Sequence, residues 1–325
     1  MMITSPLVSA IVLSFNHSRF VVETLESIKA QTYKATQFVI VDDCSSDNSV
    51  AIIDQWLRGN GIHCAFIRHQ ENKGICKSLN EALMVATGKY ISSVASDDVW
   101  LPDKLERQVE ILESQPASVG VLYSDAFQMD EHGHALPDMF IEAHRKLPEM
   151  PQGQVLDTLL AGNFIPAMTT LVRRSCYDQV GLYDESLPWE DWDMWLRIAR
   201  QYSFVYSPTP SAKYRVHDKS LSHSDRACIL KGVFNICLKQ FGLGYLNQGQ
   251  KQKLIASMLN CSEKLKRMSD TESSDILWGL LQATGNRRAL WLYRFRMSLS
   301  WRQRASRLYS RFVAFRNKLL PLLNS

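Results

Sequence analysis

The sequence predicts an α/β fold with a mainly parallel central sheet, because strand-like apolar runs alternate with helix-length segments. Five such runs lie in the first 125 residues, and their first residues are 31, 26, 26 and 29 positions apart. This spacing is typical of successive βαβ units. The runs lack polar alternation, as expected for parallel strands that helices cover on both faces; they are Leu7–Leu13, Phe38–Val41, Cys64–Ile67, Tyr90–Ala95 and Val119–Tyr123.

The segments between the runs carry the apolar period of helices that pack one face on a sheet. Ser18 and Asp47 follow the first two runs and are placed to cap the helices that come next. Leu101-Pro102 opens a further helix. Beyond it, the pattern predicts one more strand, over Ala167–Val172, and one more helix, over Glu190–Arg200.

The composition of the 325-residue chain is that of a globular protein, with 46% hydrophobic and 22% charged residues. No uncharged apolar run reaches the roughly 18 residues of a membrane-spanning helix. The first 15 residues lack the basic segment and cleavage site of a signal peptide. The seven cysteines include no CxxC pair, so neither a disulfide framework nor a zinc site is indicated. We therefore expect a cytoplasmic protein.

The last part of the chain differs from the rest in pattern and charge. The pattern is helical from about Leu221, which predicts two domains, residues 1–220 and 221–325. Residues 276–325 contain ten Lys and Arg and no acidic residue, whereas the preceding 275 carry 27 basic and 33 acidic residues. Trp, Phe and Leu beside Arg fit an anionic membrane surface. Packing on the first domain or on a second subunit is an equal alternative, and nucleic acid is disfavoured.

Polar residues follow four of the predicted strands, where open α/β sheets bind their ligands. They do not include the GxGxxG of dinucleotide-binding oxidoreductases or the GxxxxGK[ST] of P-loop NTPases, which disfavours both classes. The segments are Ser14-Phe15-Asn16, Asp42-Asp43, Asn72-Lys73-Gly74 and Ser96-Asp97-Asp98.

Six segments in this order resemble the family 2 glycosyltransferases. They are VSAIVLSFNHSRFVVETLESIKAQTY, VIVDDCSSDNSV, ENKGICKSLNEALMVATGKYI, ASDDVWLPDKLERQVEIL, GLYDESLPWEDWDMWLRIAR and YRVHDKSLS. The resemblance covers roughly residues 6 to 222. It implies a GT-A, Rossmann-like α/β/α sandwich followed by a C-terminal helical region. It also implies transfer of a sugar from a nucleotide-diphospho-sugar donor to an acceptor hydroxyl, assisted by Mn²⁺ or Mg²⁺.

The resemblance makes Ala95-Ser96-Asp97 this chain's version of the DxD metal motif, with Ala95 in place of the first carboxylate. Asp97 is then the metal ligand, and His217 corresponds to the family's late histidine near the metal. The alternative is that Asp97 and Asp98 only cap the following helix. For His217, a structural or exposed position is equally open.

The same resemblance gives the donor-binding residues. Asp42 and Asp43 stand where an aspartate accepts a hydrogen bond from the nucleobase, although an Asx-turn would also explain them. The remaining residues expected around the donor are Ser14, Asn16, Asn72, Gly74, Ser96 and Arg215. Asn72 and Gly74 also fit an ordinary turn, and Arg215 also fits a solvated or carboxylate-paired surface position.

By resemblance, Asp191 is the catalytic base that takes the proton of the acceptor hydroxyl. Glu190 and Trp189 are expected on the acceptor side. The alternative is that Glu190 and Asp191 are first-turn acids that complement the helix dipole, which would also keep Asp191 ionised. Trp192 is expected to pack in the core.

These expectations combine into an inverting glycosyltransferase of bacterial surface polysaccharide assembly, such as lipopolysaccharide, O-antigen or capsule. Its acceptor would be a glycan or lipid-linked glycan, and its position the cytosolic face of the plasma membrane. A non-catalytic nucleotide-sugar binder with a degenerate metal site is the alternative, and the acid at Asp191 disfavours it. Nucleotidyl transfer is disfavoured because no Gly-rich basic segment follows the first strand.

Overall fold

The computed structural model describes residues 5–218, 226–268 and 272–283. The chain divides into two compact units, Met1–Arg226 and Ala227–Ser325. The predicted boundary at residue 220 lies outside the described residues, and the functions assigned to the two parts stay predictions.

The first unit is built on one mixed sheet, to which the described residues contribute eight strands in the order β3-β2-β1-β4-β7-β6-β8-β5. Strands β1 to β4 pair in parallel, whereas β7 runs antiparallel to both β4 and β6. The strands are β1 Val8–Ser14, β2 Thr36–Asp42, β3 Ala65–Arg68, β4 Tyr90–Ala95, β5 Val99–Trp100, β6 Val119–Met129, β7 Leu171–Arg173 and β8 Ser203–Arg215.

Helices connect the strands and cover the sheet, and the resulting α/β class confirms the prediction. They are α1 Val21–Lys29, α2 Ser49–Asn60, α3 Ile75–Val85, α4 Lys104–Ser114, α5 Phe140–His144, α6 Leu156–Leu159, α7 Arg174–Val180 and α8 Asp191–Ile198. The strand predicted over Ala167–Val172 is instead a 3₁₀ turn, Ala167–Thr169, followed by the short β7.

The register of the parallel strands brings three polar strand ends together. Ser14, at the end of β1, is paired with Asp42 on β2. On the other side of β1, Leu13 is paired with Ala95, which ends β4. Behind these ends the strands and α1 enclose an apolar core that includes the fully buried Ile40 and Leu25. The site residues therefore stand on a rigid platform.

The predicted cap at Ser18 is wrong, because α1 begins after Phe20 without a side-chain cap. Asp47 does not form the N-cap of α2, which begins after Asn48. Instead, Asp47 accepts hydrogen bonds from the backbone N–H of Ser18, at 3.0 Å, and of Ser49, at 2.9 Å. Asp47 thus ties the loop after β1 to the loop after β2.

The described part of the second unit is helical, as predicted. It contains α9 Arg226–Gly242, α10 Gln248–Arg267 and α11 Glu272–Ala283. Asn247 and Gln250 form a capping box at the start of α10. No helix within the described ranges is both long and apolar enough to cross a lipid bilayer. The amphipathic basic segment predicted at 286–325 lies outside the described residues.

Candidate functional site

The loop after β1 is locked to the loop after β2 by a side-chain amide. Asn16 has a positive φ of 57°, and its Oδ1 accepts from the backbone N–H of Ser46 at 2.8 Å and of Asp47 at 3.3 Å. The N–H of Asn16 donates to Ser45 Oγ at 2.8 Å. Asn16 therefore shapes the rim of the site, and its contact with a donor stays a prediction.

Asp42 is buried at the end of β2 among donors from the end of β1 and from the loop after β2. Ser14 Oγ donates to one carboxylate oxygen at 2.8 Å, and Ser45 donates through its backbone N–H and its hydroxyl at 2.8 and 2.7 Å. Phe15, next to Ser14, leaves 45% of its surface exposed. This exposed aromatic ring beside the Asp42 loop was not singled out from the sequence.

Asp43 organises the loop that follows β3. Its carboxylate accepts from the backbone N–H of Lys73 at 2.7 Å and of Gly74 at 2.9 Å. The Asn72 amide donates to the carbonyl oxygen of Asp43 at 3.3 Å. Gly74 has a φ of 83°, a conformation that favours glycine. The structure thus joins Asn72 and Gly74 to Asp43, and it gives Asp43 a role in shaping this loop.

A hydrogen-bonded network that the sequence did not predict holds the loop between β3 and α3. The ring of His69 lies between two carboxylates, with Nδ1 2.7 Å from Asp43 and Nε2 3.0 Å from Glu81. Lys73 donates to the other oxygen of Glu81 at 2.9 Å. The network thus ties His69 and Lys73, at the two ends of this loop, to Glu81 on α3.

The predicted metal residues meet beyond the end of β4 and include one histidine more than expected. His217 Nε2 lies 2.9 Å from Asp97 Oδ2, and His17 Nε2 lies 3.6 Å from the same oxygen. One ligand atom from each of these residues falls within 4.8 Å of the others. His17 Nδ1 lies 3.0 Å from the Oγ of the buried Ser96. The arrangement fits a divalent cation.

The cluster also contains a carboxylate oxygen without a hydrogen-bond partner in the described part of the chain and a histidine with a lowered pKa. Asp97 Oδ1 is buried and, within the described part of the chain, lacks a hydrogen-bond partner. A buried carboxylate that has one oxygen without a partner and the other oxygen facing two imidazoles is expected of a metal ligand. Burial lowers the pKa of His17, and nearby His217 lowers it further, while the charge of Asp97 opposes the shift.

Arg215 holds the turn that presents Asp97. Its backbone N–H donates to Asp98 Oδ1 at 2.9 Å, and its Nε donates to the carbonyl oxygen of Asp97 at 2.8 Å. Its guanidinium also pairs with Glu23, and the side chain is buried. Burial and the charge of Asp97 raise the pKa of Asp98, whereas Arg215 opposes this shift. A contact between Arg215 and the donor diphosphate stays a prediction.

Asp191, the predicted base, is the first residue of α8. Its Oδ2 accepts from Asn163 Nδ2 at 2.6 Å, and its Oδ1 accepts from the N–H of Trp192 at 2.6 Å. Burial of the carboxyl group raises the pKa of Asp191, although these two donors oppose the shift. Burial and the charge of Asp191 also raise the pKa of Glu190. Burial therefore outweighs the first-turn position, which we expected to favour the ionised form.

The segment before α8 packs beside the start of α3. Cys76 Sγ lies 3.5 Å from the carbonyl oxygen of Leu187. Trp192 is buried and donates from its indole N–H to the carbonyl oxygen of Leu159 at 2.8 Å, so its core position is confirmed. Trp189 is partly exposed. The predicted acceptor side thus adjoins α3.

Sequence reasoning missed His17, His69 and Asn163 because each contacts a partner on another element of the fold. His17 and Ser96 are 79 residues apart, His69 and Asp43 are 26 apart, and Asn163 and Asp191 are 28 apart. A signal existed for His17, since it directly follows the polar residues that end β1.

Comparison with known proteins identifies the family. The model of glycosyl transferase family 2 matches residues 9–180. An uncharacterized glycosyltransferase of Rickettsia typhi is 30% identical over 68% of this chain and 67% of its own length. The putative teichuronic acid biosynthesis glycosyltransferase TuaG of Bacillus subtilis is 29% identical over 67% of this chain and 82% of its own. A Rickettsia felis relative matches over only 37% of its own length.

Solved structures show the same fold at low sequence identity. The mannosyltransferase PcManGT from Pyrobaculum calidifontis, solved with GDP-Man and Mn²⁺, has a TM-score of 0.59 and 19% identity, covering 92% of this chain and 81% of that one. S. aureus TarS 1–349, solved with UDP-GlcNAc, has a TM-score of 0.60 and 17% identity, covering 91% and 92%. The chain therefore belongs to glycosyl transferase family 2, and it is a glycosyltransferase with the GT-A fold.

Proposed function

We propose that this glycosyltransferase moves a sugar from a nucleotide-diphospho-sugar to an acceptor hydroxyl in a single displacement that inverts the anomeric carbon. The observation that carries the proposal is the contrast between two carboxylates of one unit. Asp97 faces two imidazoles, and its Oδ1 has no hydrogen-bond partner among the residues that the structure describes. Asp191 is a partly buried carboxyl group with a raised pKa. Asp97 therefore suits the binding of a metal cation together with the donor diphosphate, and Asp191 suits the role of a general base.

The donor binds at the strand ends. Asp42 accepts from a ring N–H of the nucleobase, and Phe15 offers an exposed face for stacking. A divalent cation, Mn²⁺ or Mg²⁺, supplies positive charge to the departing diphosphate when it is bound. Asp97 and His217 hold it. The remaining donor contacts come from Ser14, Asn16, Asp43, Asn72, Gly74, Ser96 and Arg215.

The acceptor binds beside α8, next to Glu190 and Trp189. Asp191 takes the proton of the acceptor hydroxyl as that oxygen forms its bond to the anomeric carbon. The bond from this carbon to the diphosphate oxygen breaks in the same step, and the nucleoside diphosphate leaves with the electron pair. The raised pKa of Asp191 matches a base that works near neutral pH.

The acceptor is a glycan or lipid-linked glycan of a bacterial surface polysaccharide, made in the cytoplasm at the inner face of the membrane. A relative named for teichuronic acid biosynthesis supports this setting, as do the ten basic residues of the acid-free tail. Removing residues 286–325 should abolish binding to anionic liposomes while leaving nucleotide binding intact. If the full-length chain does not bind such liposomes at low salt, the membrane interpretation is wrong and the tail packs on protein instead.

The test of the function is donor turnover. UDP, GDP, dTDP and CMP, each with Mn²⁺ or Mg²⁺, are screened for a rise in melting temperature. The matching sugar nucleotides are then assayed for metal-dependent nucleotide release with glycan acceptors, and the product anomer is assigned by NMR. Retention of configuration contradicts the inverting mechanism. Nucleotide binding without any turnover supports the non-catalytic alternative.

A further inference from the structure

One ligand position of the proposed metal site needs an explanation. Ala95 stands where the family resemblance places a carboxylate, so the Ala95-Ser96-Asp97 motif offers the metal one carboxylate, that of Asp97. With His217 added, two protein ligands remain for a cation that is also to hold a diphosphate. The following inference rests on the proposed function, because it names the remaining ligand of that same site.

His17 is held in place for this position by its own backbone and by Ser96. Its N–H donates to Ser49 Oγ at 3.1 Å, and its carbonyl oxygen accepts from Phe20 and Val21 at the start of α1. Nδ1 of the ring lies 3.0 Å from Ser96 Oγ. A histidine that binds a metal through one ring nitrogen usually has the other nitrogen held by a polar neighbour. Here Ser96 leaves Nε2 directed at Asp97.

The rest of the cluster is arranged around the same point. His17 Nε2 and His217 Nε2 lie 3.6 and 2.9 Å from Asp97 Oδ2. The two rings meet edge to face, with centroids 5.8 Å apart. All three side chains are largely buried. A plain hydrogen-bond cluster would account for Asp97 Oδ2, but it leaves the buried Oδ1 without a partner in the described part of the chain.

We infer that His17 is the third protein ligand of the divalent cation and replaces the carboxylate that Ala95 lacks. The site then offers two imidazole nitrogens and one carboxylate. Three protein ligands leave room in an octahedral shell for diphosphate oxygens and water. Imidazole suits first-row transition metals, whereas Mg²⁺ prefers oxygen ligands. The chain therefore selects Mn²⁺ over Mg²⁺ through His17.

The test counts the imidazole ligands of bound Mn²⁺ and measures its affinity. Calorimetry uses the full chain with Mn²⁺ alone, with Mn²⁺ and UDP, and with Mn²⁺ and GDP. Pulsed electron paramagnetic resonance of the Mn²⁺ complex should show two coordinated imidazole nitrogens in the wild type and one in His17→Gln. We expect His17→Gln to weaken Mn²⁺ binding by at least about tenfold. His132→Gln, in an exposed turn, is the matched control and should change neither.

A second variant tests the selectivity. His17→Asp returns a hard oxygen to the site, so it should raise the Mg²⁺ affinity relative to that of Mn²⁺. The wild-type spectrum tests the inference even if no variant folds. If it shows only one imidazole nitrogen coordinated to Mn²⁺, the inference is overturned. Unchanged Mn²⁺ affinity in a folded His17→Gln chain also overturns it.

The failures of the two proposals are distinguishable. If Mn²⁺ binding depends on Asp97 but not on His17, the inference fails and the proposed metal site stands. If Mn²⁺ binds equally well to the Asp97→Ala chain, the proposed metal site fails and the inference fails with it.

Discussion

Two pairs of adjacent aspartates, Asp42-Asp43 at the end of β2 and Asp97-Asp98 after β4, differ in how their oxygens are used. After β2, both oxygens of Asp43 accept hydrogen bonds, from the N–H groups of Lys73 and Gly74 and from the ring of His69. After β4, Asp97 has one oxygen facing two imidazoles and one buried oxygen that has no partner within the described residues.

The difference separates a carboxylate that builds a loop from one that is ready for a ligand. A saturated carboxylate has little left to offer a cation, whereas a buried, unsatisfied oxygen costs free energy until a ligand arrives. Asp191 is intermediate, because Asn163 and the N–H of Trp192 each donate to it while burial raises its pKa. This combination of two donors and a raised pKa suits a group that gains and loses a proton.

Removal of the Asp97 carboxylate should have the largest effect. Asp97→Ala should abolish the metal dependence of nucleotide binding and, with it, the transferase activity. Calorimetry of UDP and GDP with and without Mn²⁺ measures the first effect, and nucleotide release measures the second. Asp178→Ala removes a carboxylate that is 65% exposed on α7 and serves as the control. A metal effect that survives Asp97→Ala means that the cation binds elsewhere.

Asp191→Asn should separate the chemical step from nucleotide binding. The amide keeps the shape of the side chain but cannot take a proton, so kcat should fall by roughly 10²–10⁴-fold. The nucleotide affinity should stay close to that of the wild type, because the donor contacts are elsewhere. Asp178→Asn, the same replacement at an exposed position, should leave both quantities unchanged. Turnover near the wild-type rate contradicts the assignment of the base.

The sheet was predictable because its first strands are parallel and buried on both faces, which gives apolar runs at a regular spacing. Strand β5 was missed because Val99–Trp100 is too short to show a pattern. The place of β7 between β4 and β6 depends on the path of the chain, which residue periodicity does not record.

The candidate site was predictable only where a residue type stands at a strand end or in a family motif. Asp97 and His217 meet although they are 120 residues apart. His17 was missed, because its value as a ligand arises only when the loop after β1 meets the turn after β4. For Arg215, the sequence indicated a cation but not its contacts with the Asp97-Asp98 turn.

The pH dependence of the reaction tests the raised pKa of Asp191. The base must be ionised, so kcat/KM should fall as the pH drops through a value above the ordinary 3.8 of aspartate. Glu190 adjoins it and has a raised pKa too, so this acidic limb belongs to the pair. The residual activity of Asp191→Asn should lose the limb. An acidic limb near the ordinary value would contradict burial as the controlling effect.

The same raised pKa has the opposite effect on stability. A carboxyl group whose native pKa exceeds its unfolded value contributes stability at acid pH, which is lost as the pH rises through the native pKa. The melting temperature of the wild type should therefore fall more than that of Asp191→Asn between acid and neutral pH. Parallel melting profiles of the two proteins would exclude this contribution.

The smallest effect is expected at the saturated carboxylate. Asp43→Asn puts an amide that accepts at only one atom where two backbone N–H groups and His69 now converge, so one buried donor loses its partner. The free energy of unfolding should fall by about 1–3 kcal/mol, measured by denaturant unfolding. The displaced loop should weaken nucleotide binding modestly, while the nucleotide effect of Mn²⁺ persists. Loss of that metal effect, as in Asp97→Ala, would show that both aspartate pairs serve the cation and that saturation does not separate their functions.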